Sequence, residues 1–551
     1  MDTRRLVLFV IFSMSILMLW DAWQRQHAPV ETTVSQAAVA PAAKNQNQPA
    51  AISNPSELPV DGDYKLLSGQ RLSVTTDLFK ADIETVGGDL RRLELLKHRA
   101  SDDEKANFVL LDDAAKPMIY VAQTGLIGAD LPTHNSTFTS TAASYQMADD
   151  QDKLEVRLNW VGATGISVDK IYTFHRNRYD IDVNYEIKNG TAAAISPTVY
   201  YQIVHDSESN QGSALMPTFT GGSYYTETTK FKKLAFKDMV KEPLNVTSKD
   251  GWVGLLQHYF VSAWIPQDGL ERKFYTDKLS DNIYRIGTKS TLSTIAPGAS
   301  LTVPARLFSG PQTKHDLKAT APGLEYTVDY GWLTVIAAPL FWLLDKIHSL
   351  VKNWGVAIIL LTILIKAAFF RLSASGYRSM AQMRELAPRL QSMKEKFGDD
   401  RQKMQMAMMD LYKKEKINPM GGCFPILIQV PVFIALYWVL LGSVELRHAP
   451  FFGWIKDLSA IDPYYILPIL MGATMIIQTK LNPKPTDPMQ AKIMTWMPLV
   501  FSVFFFFFPA GLVLYWLVNN VLSIAQQWYV NKMIHAESLL KKQGNHHHKH
   551  N

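Results

Sequence analysis

Residues 355–370 read GVAIILLTILIKAAFF. Only Thr362 and Lys366 interrupt this apolar stretch, and Arg371 follows it directly. A membrane-spanning helix needs about 20 mainly apolar residues, so the stretch with its flank predicts a span over residues 355–372. At 1.5 Å per residue, Lys366 should lie roughly 6–8 Å inside the end of that span. The sequence therefore predicts a membrane protein with an ionisable group inside its hydrocarbon region.

Other apolar stretches lie on both sides of this one. A run from 491 to 530 is too long for one helix, and Pro509-Ala510-Gly511 breaks it in two. At the N-terminus, Arg4 and Arg5 precede an apolar run without a good cleavage site, which predicts an uncleaved signal anchor. We expect five spans besides the one above, over residues 1–27, 419–442, 463–479, 491–508 and 510–531.

The charges of the loops predict how these six spans are oriented. Residues 371–418 carry 11 Lys and Arg against six acids, whereas residues 443–462 carry two against three. Basic loops stay in the cytoplasm, so both termini and the basic tail at 532–551 should be cytoplasmic. The large segment at 61–325 should then lie outside. Residues 326–354 combine apolar and charged positions, which predicts an amphipathic helix in the membrane interface.

The segment at 61–325 has the pattern of an all-β domain. Residues 154–160 and 179–187 alternate apolar and polar side chains with period two, as half-buried strands do. Turn signals such as Gly87-Gly88 and Asn189-Gly190 separate the strands. We expect a large β-sandwich that is joined to the signal anchor by a disordered linker at 28–60, because that linker has almost no large apolar residues.

The loop at 373–418 is predicted to be a cytoplasmic helical hairpin. Its turn should lie at Gly398, and its basic outer face could bind a ribosome or a targeting factor; a merely solvated face fits the sequence equally well. Apolar positions in the first helix step by three and four, and a matching face follows in the second. These positions are Met383, Leu386, Leu390, Met393 and Phe397, then Met404, Met408, Leu411 and Tyr412.

Composition excludes several functions. The formal net charge of +6 is too small to indicate nucleic-acid binding. A single cysteine, Cys423, cannot form an intrachain disulfide or a cysteine-rich metal site. The chain also has no phosphate-binding loop, metalloprotease motif or nucleophile elbow. We therefore expect no catalytic residues, no metal and no cofactor, and we interpret the histidines at 546–550 as part of a basic tail.

Lys366 is the main candidate for a functional residue. Intramembrane charges usually face a hydrated cavity, and other polar residues in the predicted spans could share it. These are Thr362, Gln429, Gln478, Asn519 and Asn520. Two simpler interpretations stay open: the lysine could extend to the cytoplasmic interface, and the amides could only bond neighbouring helices.

Four stretches of this sequence resemble the YidC membrane-protein insertases. They are NPMGGCFPILIQVP at 418–431, TVDYGWL at 327–333, DPMQ at 487–490 and PAGLVLYW at 509–516. The resemblance covers nearly the whole chain, including the external β domain of the Gram-negative members. It implies a bacterial inner-membrane insertase that handles nascent membrane proteins in the lipid bilayer, alone or with the Sec translocon. It also implies contact with ribosomes and signal-recognition targeting factors.

The resemblance further implies a hydrophilic groove between five core spans, open to the cytoplasm. The family usually has arginine in this groove, and this chain has Lys366 there, which keeps the charge but loses the planar fork. Gln429 and Asn520 match polar positions of the groove. Tyr515 and Trp516 match its aromatic contacts to the substrate. The implied external domain is periplasmic and similar in fold to sugar-epimerase sandwiches.

Two other functions stay open on the residues alone. A small-molecule transporter could use Lys366 as a substrate or proton site, and internal repeats would favour it, but the sequence has none that we detect. An envelope enzyme could act on glycans through paired carboxylates in its β domain. The insertase interpretation is favoured because the resemblance is extended.

Overall fold

The structure is a computed structural model of the 551-residue chain. It describes residues 64–100, 103, 105–113, 119–207, 212–213, 216–397, 400–415, 424–482 and 488–547. The predicted signal anchor, the linker, Cys423 and the histidines at 548 and 550 lie outside the described residues.

The first part of the chain is built almost entirely of strands. They are β1 (Arg71–Thr75), β2 (Phe79–Glu84), β3 (Asp89–Arg99), β4 (Asn107–Leu111), β5 (Tyr120–Ile127), β6 (Thr139–Ser140), β7 (Ser144–Gln146), β8 (Lys153–Val161), β9 (Ile166–His175), β10 (Asp180–Asn189), β11 (Thr198–Asp206), β12 (Gly212–Ser213), β13 (Met216–Pro217), β14 (Gly221–Tyr225), β15 (Lys232–Leu234), β16 (Asn245–Ser248), β17 (Trp252–Leu256), β18 (Phe260–Pro266), β19 (Arg272–Lys278), β20 (Ile283–Thr291) and β21 (Ser300–Pro311). Two short helices accompany them, α1 (Phe236–Lys241) and α2 (Lys314–Thr320).

All strands but β12 and β13, which pair with each other, form two large sheets whose inner faces share one apolar core. The 10-stranded sheet has the order β16-β19-β20-β11-β5-β3-β2-β1-β7, with β4 beside β3, and the 9-stranded sheet has the order β15-β14-β17-β18-β21-β10-β9-β8-β6. Neighbouring strands are antiparallel except β1 and β7. In β10, every second residue from Ile181 to Ile187 is fully buried, as its period-two pattern requires. The prediction of a large all-β domain is confirmed.

The rest of the chain is helical. Two short 3₁₀ turns, Leu324–Thr327 and Gly331–Leu333, lead from the β domain into it, and a third, Val444–Leu446, lies between two helices. The helices are α3 (Thr334–Val351), α4 (Trp354–Ala368), α5 (Phe370–Glu385), α6 (Ala387–Phe397), α7 (Arg401–Lys414), α8 (Phe424–Gly442), α9 (Ile466–Leu481), α10 (Pro488–Phe505) and α11 (Ala510–His547). The long α11 packs against α4, α5 and α9, while α3 packs against α4 and α8.

The hairpin differs from the prediction at one point. We expected a continuous helix through Leu386, but α5 ends at Glu385 and α6 begins at Ala387. Pro388 explains the break, since proline has no N–H to donate and its ring clashes with the preceding turn. Only α6 and α7 therefore pair as the hairpin, tied by a 2.6 Å ion pair between Arg389 and Glu415.

The number of membrane spans stays a prediction. By length and composition, one helical segment among the described residues is long and apolar enough to cross a bilayer, Gly331–Val351. Two helices bent by 67°, α4 and α5, pass the same test together, and Gln429–Gly442 and Ile466–Leu481 are shorter apolar helices. The interfacial position predicted for residues 326–354 is likewise untested.

Candidate functional site

A stripe of buried polar residues runs along α11. Its members are spaced at i, i+1, i+4, i+7 and i+8, so they lie on one face of the helix. None is more than 9% exposed, and they are Asn519, Asn520, Ser523, Gln526 and Gln527. We call this set the polar stripe. Buried polar groups need partners, and the stripe finds them on α4, α5, α8 and α9 and just after α9.

Lys366 contacts the middle of the stripe. Its Nζ donates a 2.7 Å hydrogen bond to the Ser523 hydroxyl, which itself donates to the Asn519 carbonyl at 2.7 Å. Among the described residues, no carboxylate lies within ion-pair distance of this ammonium group. Since α4 ends at Ala368, Lys366 lies in its last turn, closer to the helix end than the sequence predicts. The side chain is nonetheless directed at α11 within the bundle.

The amides of the stripe bind polar groups on other helices. Gln429 of α8 donates to the Asn519 side chain at 2.5 Å, and Asn520 donates to the Thr474 hydroxyl of α9 at 3.4 Å. The structure therefore brings Lys366 and Gln429 to adjoining positions of one stripe. Both also line a narrow pocket of about 20 Å³, which has room for about one water molecule.

The C-terminal end of the stripe contacts the bend between α4 and α5 and the end of α9. Gln526 donates to the Phe370 carbonyl at 3.0 Å, where α5 begins after the break that follows α4. Gln527 donates to the Asn482 side chain at 3.1 Å, just beyond the end of α9. Gln527 also donates to the Leu481 carbonyl at 3.4 Å, one of the last carbonyl groups of α9, which have no partner within the helix.

Three predicted site residues do not join the stripe in this structure. The Thr362 hydroxyl donates to the Ile358 carbonyl of its own helix at 2.6 Å. Tyr515 is only 2% exposed and stacks on Phe433 at 6.1 Å between ring centroids. Trp516 is half-buried and meets the Phe433 ring edge-on at 4.3 Å. The predicted contacts of these residues with a substrate stay predictions.

Ser523, Gln526 and Gln527 were not among the predicted site residues. The signal was present, because polar residues that recur at i+4, i+7 and i+8 after Asn519 mark one face of a helix. Ser523 matters most, since it is the residue that holds the Lys366 ammonium.

No metal centre is apparent in the part of the chain that the structure describes. There, no group of three or more His, Cys, Asp or Glu side chains is arranged to hold an ion. The stripe carries amides and hydroxyls rather than carboxylates, and such groups suit hydrogen bonding to a polar chain more than metal binding.

A β-sandwich joined to a bundle of apolar helices is typical of a class of membrane proteins with a large water-exposed domain. The buried polar stripe lies within the helical part of this chain. Comparisons with known proteins identify the family. Residues 71–343 match the family described as YidC periplasmic domain, and residues 346–537 match the family described as 60Kd inner membrane protein. The chain therefore belongs to the YidC family of inner-membrane proteins.

Individual relatives agree with this assignment. The chain is 65% identical to the membrane protein insertase YidC of Methylobacillus flagellatus, over 99% of this chain and 100% of that one. It is 50% identical to that of Nitrosospira multiformis, over 98% of each chain. Among solved structures, it resembles an active YidC insertase at 19% identity with a TM-score of 0.40, over 84% of this chain and 93% of that one.

Proposed function

We propose that this chain inserts hydrophobic segments of other proteins into the inner membrane. Its relatives carry the name membrane protein insertase, at identities of 50–65% over nearly their whole length. The observation that carries the mechanism is the Lys366 ammonium inside the bundle, which is bonded to Ser523 and paired with no described carboxylate. Such a cation attracts an acidic segment of a client protein that must cross the membrane.

The polar stripe would receive the flank that is to be translocated. A polar flank loses hydration when it enters lipid, and this cost falls when amides and hydroxyls replace the lost water. Asn519, Asn520 and Gln429 could exchange their present bonds for bonds to the client backbone. The narrow pocket beside Lys366 would then widen as the client enters.

Release would follow from partition of the client's apolar segment into lipid. Burial of apolar surface contributes about 25 cal/mol per Å², so a helix-sized segment supplies a large driving force without a nucleotide. The membrane potential adds roughly 2.3 kcal/mol per 100 mV for each acidic residue moved outward.

We propose a multi-pass topology with both termini in the cytoplasm and the β domain in the periplasm. The asymmetry of the loop charges supports it, since the hairpin side of the bundle is basic and the loop at 443–462 is not. The hairpin formed by α6 and α7 is proposed to receive ribosomes or signal-recognition targeting factors. Cooperation with the Sec translocon is a further expectation from the family.

Substitutions at Lys366 test the mechanism. We expect Lys366→Glu to reduce insertion of acidic-flanked clients by tenfold or more, because attraction becomes repulsion, and to affect neutral-flanked clients much less. Lys366→Arg is the matched control that keeps the charge, and it should insert both clients normally. Insertion is measured by protection of the translocated flank from protease.

The same assay decides between the groove and the simpler interpretation of Lys366. If Lys366→Glu inserted acidic and neutral clients equally well, the lysine would only extend to the interface. Ser523→Ala should act in the same direction as Lys366→Glu but more weakly, because it leaves the charge and removes only its partner.

A further inference from the structure

The β domain is fixed to the bundle by specific contacts. His258, in the turn between β17 and β18, hydrogen-bonds through Nε2 to the Leu441 carbonyl near the end of α8, at 2.9 Å. The Arg447 guanidinium lies 5.1 Å from the Phe108 ring and 5.5 Å from the Phe260 ring of the β domain. Because these contacts hold the β domain against the helical bundle, a cleft between them has a fixed shape and lining.

One such gap is a cleft of about 360 Å³ between the β domain and the bundle. We call it the junction cleft. Phe219, Lys233 and His258 line it from the β domain, while Asp329 and Trp438 line it from the connecting segment and from α8. Its volume lies within the range of sites for small ligands.

The junction cleft lies where apolar helices end. Leu441 and Gly442, the last residues of α8, form part of its wall, and so does Gly331, where the apolar segment Gly331–Val351 begins. Trp332 beside it is 74% exposed, and tryptophans concentrate where a bilayer meets water. On the proposed topology this is the level of the periplasmic lipid head groups.

The charges of the cleft are one cation and one anion. Lys233 Nζ donates to Asp329 Oδ2 at 2.8 Å and lies 5.2 Å from the Phe219 ring centroid. Asp329 Oδ1 accepts from the Gly331 N–H at 2.7 Å. An ammonium has three donors and each carboxylate oxygen has two acceptor sites, so both groups keep free capacity. Their side chains are 28% and 41% exposed, which leaves them accessible.

We propose that the junction cleft binds the zwitterionic head group of a membrane phospholipid. The phosphate would lie against Lys233 and the head-group ammonium against Asp329. Because the two residues sum to no net charge, a zwitterionic head group fits better than an anionic one. The site depends on the bundle lying in a membrane, but it does not depend on insertase activity.

Bound lipid in the purified full-length chain tests the proposal. The protein is delipidated and then titrated with phosphatidylethanolamine. Native mass spectrometry counts the lipid molecules that each protein molecule binds. We expect the Lys233→Ala variant to hold one molecule fewer than the unmodified chain, with at least tenfold weaker binding at that site. Lys232→Ala is the matched control, since Lys232 is the exposed neighbour on β15 and its loss changes the net charge identically.

A second variant tests whether the effect of Lys233→Ala comes from loss of the lipid site or from disruption of the contact between the β domain and the bundle. Thr218 also lines the cleft, so Thr218→Trp should fill the cleft and displace the lipid while leaving the Lys233–Asp329 pair intact. Equal lipid counts in all four proteins would overturn the proposal. Preferred binding of anionic phosphatidylglycerol would also overturn it, as would equally tight binding of soluble glycerophosphoethanolamine, which would indicate a free ligand rather than a membrane lipid.

Discussion

Lys170 is a charged residue in the core of the β domain. Its ammonium donates to the Gly87 carbonyl at 3.0 Å and to Asp89 Oδ1 at 3.4 Å, and both side chains are fully buried. Burial lowers the pKa of Lys170 to about 8, although the Asp89 carboxylate opposes this shift. Lys170 depends on Asp89 for charge compensation in the core, whereas Asp89 also lies 3.8 Å from the buried Arg91 guanidinium.

Removal of one partner should therefore be costly. We expect Lys170→Met to lower the free energy of unfolding by up to about 3–5 kcal/mol, since Asp89 would lose its nearest cation and keep only Arg91 at 3.8 Å. Asp89→Leu should cost more than Lys170→Met, because it leaves both Lys170 and the buried Arg91 without the carboxylate that they share. Urea unfolding of the full-length chain, followed by tryptophan fluorescence, measures both. A loss below about 1 kcal/mol for Lys170→Met would contradict this explanation.

The role of a residue could be predicted where the sequence around it carries the signal. Lys366 stands out in the sequence because it is the one charge in an apolar run. Its partner Ser523 does not, because the contact spans 157 positions and depends on how α4 and α11 pack. For the same reason, the burial of Tyr515 against Phe433 could not be predicted from the run PAGLVLYW.

At the scale of elements, two breaks between helices coincide with a proline, Pro388 and Pro509. Helix α10 ends at Phe505, and α11 begins at Ala510, directly after Pro509. The break at Leu386 was not predicted, because the apolar stepping continues through it. The continuation of α11 to His547 was also not predicted, since the polar sequence after residue 531 carries little apolar periodicity.

The start of α4 makes an unusually close contact with the loop that follows α8. A Cβ added at Gly355 would lie 2.0 Å from the Phe451 ring, so no larger residue fits without a shift. We expect Gly355→Ala to lower the free energy of unfolding by about 1–3 kcal/mol through overpacking. Thermal unfolding of the purified chain measures the change.

Gly442→Ala provides the matched control for this prediction. A Cβ there would meet only Tyr330, at 4.0 Å, and alanine favours the helix slightly. Equal melting temperatures for Gly355→Ala and Gly442→Ala would show that the Gly355 contact is unimportant.

At the scale of the whole molecule, the joint between the two parts carries ionisable groups. His98 and His258 lie near Arg447, and burial, aided by that cation, lowers the pKa of each to about 4. Glu445 in the same loop has its pKa raised to about 7, first by burial and then by nearby carboxylates. The sequence could not reveal this joint, because its residues come from segments that were read as separate domains.

These pKa shifts predict how the stability of the joint depends on pH. A histidine with a lowered pKa stabilises the folded state above pH 6.5, and this contribution is lost as the pH falls toward 4, at most about 3 kcal/mol for each. Glu445 acts in the opposite direction between pH 7 and 4.5, since its raised pKa favours the folded state when it is protonated. We expect a net loss of stability below about pH 6, because two histidines outweigh one carboxyl.

Variants separate the two contributions. His98→Asn and His258→Asn should each flatten the decline of the unfolding free energy between pH 6.5 and 4, while Glu445→Gln should steepen it. Urea unfolding over this pH range measures the slopes. Unchanged slopes in the histidine variants would mean that these groups titrate normally in the folded protein.

The overall architecture was largely predictable, because composition differs so strongly between its parts. Period-two strands and apolar helices each follow from a local pattern, as β10 and α4 illustrate. The junction cleft and the polar stripe were not predictable as sites, because they form only when distant elements pack together. The spacing of polar residues after Asn519 marks a polar face of α11, but the sequence does not show which helices supply its partners.

The most direct test of the central claim is insertion by the purified chain alone. The full-length protein is reconstituted into protein-free liposomes, and a two-span client with an acidic translocated flank is added. We expect the flank to become protected from external protease, at a level several-fold above that with the Lys366→Glu variant. Absence of protection, with the chain folded and correctly oriented, would contradict the claim that it inserts membrane proteins on its own.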